Sequence, residues 1–530
     1  MKLNNSENKV KEPAYTLLYE PKKLSLHKSI NNTQILYSMV SSYLPNKFNS
    51  KQEEFFHYNF LNRISLLWGP PGTGKTTVLA GVILGWIEEY LIKKTKNKTL
   101  KICIGSSNYN AIDNVLIEVL KLLKMREENT RKKLLIRIQR LRSESAQKPS
   151  SSDIEDVLIN SLEAKQLIDR LDSNGSGIVV VGGTWQQLGK LATKQENDKE
   201  TTAEWFDLLV IDEASQVQVS TAASYFLLLQ KTAHVILAGD DKQLGPIYGF
   251  NMQDKAKGLF DCIFTYMKET HEILPIQLSQ NYRTNVQISA WPESRFYNNQ
   301  YSSFFENKKL DIQFSHRKKP KCWPNNLAWS DIYWDILDPK YPVVVITYPS
   351  KIYTVSNSFE AQIVAALTYL YRSLIIEHND FWTDKIGLVT PHRAQMSLIK
   401  NILLEALPVE ETINSAVFVD TVDRFQGQER DLIISSYVVA DKDFIASEDD
   451  FILSSRRFNV TLTRARSKFI MVISDSLLQY LPTDPETARD AAHLQLFVQK
   501  YCRELDSNIV LPYVNKEVIE SNICKMYIKD

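Results

Sequence analysis

The stretch Ile64-Ser-Leu-Leu-Trp68-Gly69-Pro-Pro-Gly-Thr-Gly-Lys75-Thr76-Thr77-Val78 decides the fold. Its first five residues read as a buried strand, a glycine-rich loop follows, and Val78-Leu-Ala-Gly-Val-Ile-Leu-Gly-Trp86 reads as a helix. From Gly69 to Thr76 the loop fits G-x-x-x-x-G-K-[ST], in the strand–loop–helix setting that gives the pattern its meaning. Gly72 and Gly74 let backbone N–H groups converge on phosphate oxygens, and the helix N-terminus adds a partial positive charge there. Gly69, Pro70, Pro71, Gly72, Thr73, Gly74, Lys75, Thr76 and Thr77 are therefore expected to cradle a nucleoside triphosphate. Lys75 is placed to reach the β- and γ-phosphates, and the Thr76 hydroxyl is a ligand for Mg²⁺.

Working outward, the 530 residues are enough for about three domains of ordinary size. A hydrophobic fraction of 44% and a charged fraction of 24% are those of a globular chain. With a net charge of +1 no global field draws nucleic acid in, so any such binding needs a local groove. The five cysteines are scattered without a C-x-x-C pair, which argues against zinc sites and disulfide frameworks and for a reducing, cytoplasmic setting. The N-terminus lacks the apolar core of a signal peptide, and no apolar run reaches the roughly 20 residues of a membrane span.

Further strands end in polar groups. Lys101-Ile-Cys-Ile-Gly-Ser-Ser107-Asn108 places Ser107 and Asn108 where they hold a phosphate or, alternatively, cap the helix that follows. Gly177-Ile-Val-Val-Val-Gly-Gly-Thr184 is a buried-type strand ending at Thr184. Asp207-Leu-Leu-Val-Ile-Asp212-Glu213 ends in two carboxylates; downstream of such a loop, Asp212 holds Mg²⁺ and Glu213 polarises the attacking water. His234-Val-Ile-Leu-Ala-Gly-Asp240-Asp-Lys-Gln243 brings Gln243 to the same edge as a sensor of the γ-phosphate. Gln52, about one short helix ahead of the loop, carries a donor and an acceptor on one amide, suited to an adenine edge. Strands sharing one polar edge make a parallel α/β sheet with its site at their carboxyl ends.

Residues 121–148 hold ten Lys/Arg and three Glu, either a solvated basic face or a nucleic-acid face, and 121–175 reads as a helical insertion. A second parallel sheet is expected from Val343-Val-Val-Ile-Thr-Tyr, Lys385-Ile-Gly-Leu-Val-Thr390, Asp431-Leu-Ile-Ile-Ser-Ser-Tyr and Lys468-Phe-Ile-Met-Val-Ile-Ser. It has no glycine-rich loop of its own. Residues 300–342 carry no readable pattern; 484–505 read as a terminal helix, and the last 25 residues are unassigned.

Taken in order, these motifs resemble a known family. To those above are added Asn281-Tyr282-Arg283, Thr390-Pro-His-Arg393-Ala-Gln395, Thr421-Val-Asp423-Arg-Phe-Gln426-Gly427-Gln-Glu429 and Arg456-Arg457-Phe-Asn459-Val-Thr-Leu-Thr463-Arg464-Ala-Arg466. Over residues 49–475 the chain is similar to superfamily 1 helicases, in the branch that holds the nonsense-mediated-decay RNA helicases and related DNA helicases. The resemblance implies two RecA-like P-loop domains, 49–270 and 271–483, after an N-terminal extension (1–48) and before a C-terminal helix and tail (484–530). It implies ATP with Mg²⁺ as substrate and cofactor. Gln52 then reads adenine, Tyr282 stacks on it, Glu429 reaches ribose or phosphates, Gln243 senses the γ-phosphate, and Arg283 and Arg464 are arginine fingers. Ser107, Asn108, Thr184, Thr390, Arg393 and Thr421 would contact single-stranded DNA or RNA. The family also implies stepping in the 5′-to-3′ direction.

Two departures matter. Only 48 residues precede Asn49, too few for the β-barrel that family members often carry there, so an ATPase that remodels complexes without separating strands is the alternative. Glu213-Ala-Ser also replaces the commoner Glu-Ala-Ala or Glu-Ala-Thr. A signalling-type P-loop switch is disfavoured by the second sheet, and a dead binding module by the intact Lys75, Asp212, Glu213, Arg283 and Arg464.

Overall fold

The computed structural model describes residues 14–24, 32–93, 98–149, 151–173, 175–196, 199–246, 261–314, 316–375, 380–408, 418–425, 427–515 and 517–530. Gln426 of the second-half motif and parts of the 1–48 extension lie outside them. The chain divides into two compact units: residues 1–241 with 245–279, and residues 242–244 with 280–530. The division falls at 279 rather than 270, because Ile276–Gln277 pairs in parallel with Ile64–Trp68 and belongs to the first sheet.

The first unit's strands are β1 (Ile64–Trp68), β2 (Thr99–Gly105), β3 (Ile136–Arg142), β4 (Glu155–Leu158), β5 (Gly177–Gly182), a small β6/β7 hairpin (Thr193–Glu196, Lys199–Thr202), β8 (Phe206–Ile211), β9 (Leu229–Gly239) and β10 (Ile276–Gln277). Apart from the hairpin they form one sheet in the order β10-β1-β9-β8-β2-β5-β3-β4, parallel throughout. β1, β2 and β8 are buried along their whole length, as strands covered on both faces must be. The core joins Val78, Ile83 and Ile87 of the loop's helix to Ile104, Val180, Val210 and Ile236 of the strands. Helix Thr33–Ser41 of the N-terminal extension adds Leu36, Tyr37 and Val40 to this core, so that segment is part of the unit.

Residues 121–175 are not a helical insertion: between helix Tyr109–Thr130 and helix Leu162–Asp172, which Ser161 caps, β3 and β4 extend the parallel sheet. The basic residues are largely matched by acids. Arg126 pairs with Glu88, Arg137 with Glu155, Arg140 with Asp113, Arg142 with Asp156, and Lys124 with Asp153. These pairs cancel half of the region's ten positive charges and weaken the nucleic-acid reading of this face.

The second unit carries a two-stranded ribbon, β11 (Gln280–Asn285) and β12 (Ser302–Phe305), and a sheet of β13 (Val343–Tyr348), β14 (Ile386–Val389), β15 (Val419–Asp420), β16 (Arg430–Ser436), β17 (Ala465–Ser474), β18 (Arg503–Asn515) and β19 (Val518–Lys529). Its order is β15-β14-β16-β17-β13-β19-β18; the first five are parallel and the last two antiparallel. The tail that carried no sequence signal is thus a pair of sheet strands, and the terminal helix stops at Tyr501. Residues 300–342 supply β12, helix Ile332–Leu337, and Leu310, Trp323, Leu327 and Trp334 to the second core. Both units are RecA-like α/β folds.

Candidate functional site

In the first unit the sequence-predicted residues gather at the carboxyl ends of β1, β2, β5, β8 and β9. The loop after β1 is tied to β9 by Gly69 N–H donating to the Gly239 carbonyl at 3.0 Å. Gly72 and Gly74 lie at φ of 73° and 78°, the left-handed region where side chains are strained. At Gly74 a Cβ would also stand 3.0 Å from Gln52 Nε2. Lys75 opens the helix Lys75–Lys93, so the free N–H groups of its first turn face the loop. Thr73 is buried, its hydroxyl donating to the Pro70 carbonyl at 2.7 Å.

Lys75 Nζ lies 2.7 Å from Glu213 Oε1 and 3.2 Å from Asp212 Oδ1. Burial works against the ammonium, but the Asp212 and Glu213 carboxylates outweigh it and raise the lysine pKa. Burial likewise raises the Asp212 pKa, opposed by Lys75 and helped by Glu213. Glu213 has φ 52°, and its N–H donates to Asp212 Oδ1 at 2.9 Å. A non-glycine residue in that region stores strain that only surrounding structure sustains. An ammonium, two carboxylates and a helix N-terminus converge here, and Thr76 follows Lys75 in that helix. Hard oxygen donors from Asp212 and Thr76 suit Mg²⁺, and the positive-φ loop before a helix suits a triphosphate.

Gln52 has two local partners. Its Oε1 accepts from the Asn49 N–H at 3.0 Å in a capping box, and its Nε2 donates to the Thr73 carbonyl at 3.0 Å. It therefore braces the loop from behind. Asn108 caps its helix, accepting from the Ala111 N–H at 2.9 Å, while the Ser107 hydroxyl donates to Gln216 Oε1 at 3.2 Å. Thr184 sits at a helix N-cap position without a capping bond from its side chain. Sequence reasoning missed Tyr225. Its buried hydroxyl accepts from the Ser106 N–H and donates to the Gly183 carbonyl at 3.0 Å, with the Ser106 carbonyl at 3.2 Å as the alternative acceptor, joining the two loops that carry Ser107 and Thr184. No local motif marks it, because the contact is 119 residues away in sequence.

In the second unit the predicted residues fall on opposite edges of one sheet. Glu429 and Arg464 precede the amino ends of β16 and β17. The Arg283 guanidinium pairs with Glu429 and donates to the Thr463 carbonyl at 3.2 Å. Arg466 pairs with Asp431 at 2.8 Å and lies 3.8 Å from Glu429. Burial would raise the Glu429 pKa, but Arg283 and Arg466 hold it below the ordinary carboxylate range. Arg464 is 3% exposed and donates to the carbonyls of Val460 and Gln428 and, at 3.0 Å, to Oε1 of Gln243, which packs with this unit. Tyr282 stands at the surface, its ring 5.3 Å from that of Phe304.

Thr390 and Thr421 follow the carboxyl ends of β14 and β15 and line one hollow with Asp423, Ser436 and Arg457. The Thr390 hydroxyl is buried and has no hydrogen-bond partner among the described residues. Arg393 is exposed at the start of helix Arg393–Ala406. A buried network unseen in the sequence holds that helix. Gln395 Nε2 donates to the Ser436 hydroxyl at 3.0 Å, and its Oε1 accepts from the Asn357 N–H at 2.8 Å. Ser436 and Tyr348 each donate to Glu360 at 2.6 Å.

Two family models, each described as an AAA domain, match residues 52–250 (AAA_19) and 259–476 (AAA_12). The chain is 25% identical over 419 residues to the DNA replication ATP-dependent helicase/nuclease DNA2 of Xenopus laevis, covering 77% of this chain and 35% of that protein. It is 25% identical over 492 residues to the DNA polymerase alpha-associated DNA helicase A of Saccharomyces cerevisiae, covering 84% of this chain and 67% of that one. Against the ATP-dependent helicase NAM7 of the same yeast it is 25% identical over 462 residues, 81% and 42% of the two chains. It thus spans about a third of the length of the first of these relatives. With the motifs in family order on two RecA-like units, the chain belongs to superfamily 1 helicases, in the branch of the nonsense-mediated-decay RNA helicases and related DNA helicases.

Proposed function

We propose that this chain hydrolyses ATP and uses it to move along, and to separate, nucleic-acid strands. The observation that carries the reading is Lys75 held between Asp212 and Glu213 at the carboxyl ends of a parallel sheet. Lys75 neutralises phosphate charge, Thr76 and Asp212 hold Mg²⁺, and Glu213 accepts the proton of the attacking water. Mg²⁺, when bound, supplies charge neutralisation across the phosphate oxygens. Arg283 and Arg464 of the second unit are the proposed arginine fingers, Glu429 orients Arg283, and Gln243 joins Arg464 to the γ-phosphate. Because these groups belong to two units, unit closure is the proposed route from hydrolysis to movement. Ser107, Asn108 and Thr184 of the first unit, and Thr390, Arg393 and Thr421 of the second, are the proposed contacts to a single strand, traversed 5′ to 3′. Asn108 would contribute through its backbone, since its side chain caps a helix.

No helix among the described residues is long and apolar enough to cross a membrane. The five cysteines are free thiols, which supports a reducing, cytoplasmic setting. The test is ATP turnover with single-stranded RNA or DNA at stated salt, with Lys75→Ala as the null, followed by displacement from duplexes tailed at the 5′ or 3′ end. Strand-stimulated turnover lost in Lys75→Ala, with displacement on the 5′ tail, is the expected result. Turnover without displacement sinks the unwinding half of the proposal and leaves complex remodelling.

A further inference from the structure

The two rings at the surface of the second unit are unusual in their company. Tyr282 is 37% exposed and Phe304 56%, and their centroids lie 5.3 Å apart at 39°. Single exposed aromatics are ordinary on protein surfaces. These two form one ledge on a hydrogen-bonded ribbon. Tyr282 lies on β11 and Phe304 on β12, paired through Gln280 with Ser302 and Asn281 with Ser303. The Ser303 hydroxyl donates to the Thr284 carbonyl at 2.6 Å and accepts from the Phe305 N–H at 2.9 Å. The Tyr282 hydroxyl is fixed by Gln280 at 3.0 Å.

Beside the ledge Arg283, Lys308 and Arg466 lie among the carboxylates of Glu429, Asp431 and Asp384. Arg283 follows Tyr282 directly, Lys308 Nζ donates to the Arg283 carbonyl at 2.9 Å, and Arg466 shares Glu429 with Arg283. Two exposed rings, tilted against each other, beside an arginine match an aromatic base and the polyanion attached to it. Resting on the ATPase reading above, we propose that Phe304 extends the platform of Tyr282 and stacks against the base of the bound nucleotide. Stacking has no donor–acceptor code, so Phe304 contributes affinity for any purine base rather than a choice of adenine. Ser303 fixes the strand that presents it.

The test uses the full chain and two probes. Binding of the fluorescent analogue 1,N6-ethenoadenosine triphosphate is measured first, then steady-state turnover of ATP at saturating single strand. Phe304→Ala is expected to weaken analogue binding and raise KM for ATP about five- to tenfold, with kcat within about twofold, the signature of lost ground-state stacking. Phe304→Trp should keep KM near the wild-type value. Ribose 5′-triphosphate, which lacks the base, should inhibit wild type and Phe304→Ala equally. An unchanged KM in Phe304→Ala overturns the assignment, as does an equal loss of ribose triphosphate affinity. A shift confined to the affinity for the single strand overturns it too. Wild-type protein that binds no nucleotide would instead bring down the ATPase reading itself.

Discussion

Glu360 offers a perturbation whose size follows from the structure. It lies fully inside the second unit, where its two oxygens accept from Tyr348, Ser436 and the Val438 N–H. Burial pushes its carboxyl up from 4.5 to about 7, with the hydrogen bonds from Ser436 and Tyr348 opposing. An acid whose folded-state pKa lies above its unfolded value favours folding fully below about 4.5, and that contribution is lost as pH rises through about 7. Between about pH 5 and pH 8.5 the linkage amounts to roughly 2.5 kcal/mol, or about 70-fold in an opening equilibrium. Glu360→Gln removes the titration while keeping the shape. We expect hydrogen exchange of the β13 and β16 amides to show wild-type protection falling by about 70-fold relative to Glu360→Gln across that range. Lys468, which burial lowers to about 7 against the pull of Asp338, favours folding increasingly above that pH, but it titrates in both proteins and cancels. Parallel protection curves for the two proteins would refute the reasoning.

Two further outcomes are expected. Arg464→Ala should slow ATP turnover by about 10³-fold or more, the scale of arginine fingers, and wild-type-like turnover would refute its assignment. Gln52→Ala should lower thermal stability by about 1 kcal/mol through the lost capping box and also raise KM for ATP, because the Thr73 carbonyl loses its brace; if GTP and ATP are affected alike, Gln52 acts on the loop and not on adenine.

The first sheet was legible because each polar residue stands directly after an apolar run. Gly69, Ser107, Thr184 and Asp212 all follow strands that are buried along most or all of their length, and strand ends cannot be mistaken when the run stops. Leu134-Leu-Ile-Arg-Ile138 reads as a possible short strand, but the rest of β3 is hidden by arginines and β4, Glu155-Asp-Val-Leu158, is too short and acidic to show alternation. Arg140 and Arg142 are buried, but as partners of Asp113 and Asp156, which lie far away in sequence or on the next strand. The C-terminal strands failed for a related reason. Ile509, Leu511 and Tyr513 alternate with exposed Val510 and half-buried Pro512, so both faces are apolar and period two gives no contrast. Glu360 and Tyr225 were invisible because nothing local distinguishes a carboxylate or phenol that will be buried from one that will be solvated. Only the fold brings Ser436 to the first and Ser106 to the second.

On the proposed function, the arrangement of the second sheet constrains how hydrolysis would become movement. Glu429 stands before the first residue of β16, and Ser436, which holds Gln395, is its last. Seven strand residues separate the arginine edge from the threonine edge by about 20 Å. β16 and β17 pair in register from Leu432 to Ser436, beyond a shift between Arg430 and Leu432; β14 pairs with Leu432–Ser435, and Ile433, Ile434 and Ile470 in these strands are fully buried. Close-packed strands do not stretch or slide by ångströms without breaking ladder bonds. A change in what Arg283 or Arg464 binds therefore reaches Thr390 and Thr421 as displacement of the whole sheet, not as a rearrangement passed residue to residue within it. On that view substitutions midway along β16 that conserve volume, such as Ile434→Leu, lower stability without uncoupling turnover from movement, whereas loss of either arginine stops both together with the fold intact.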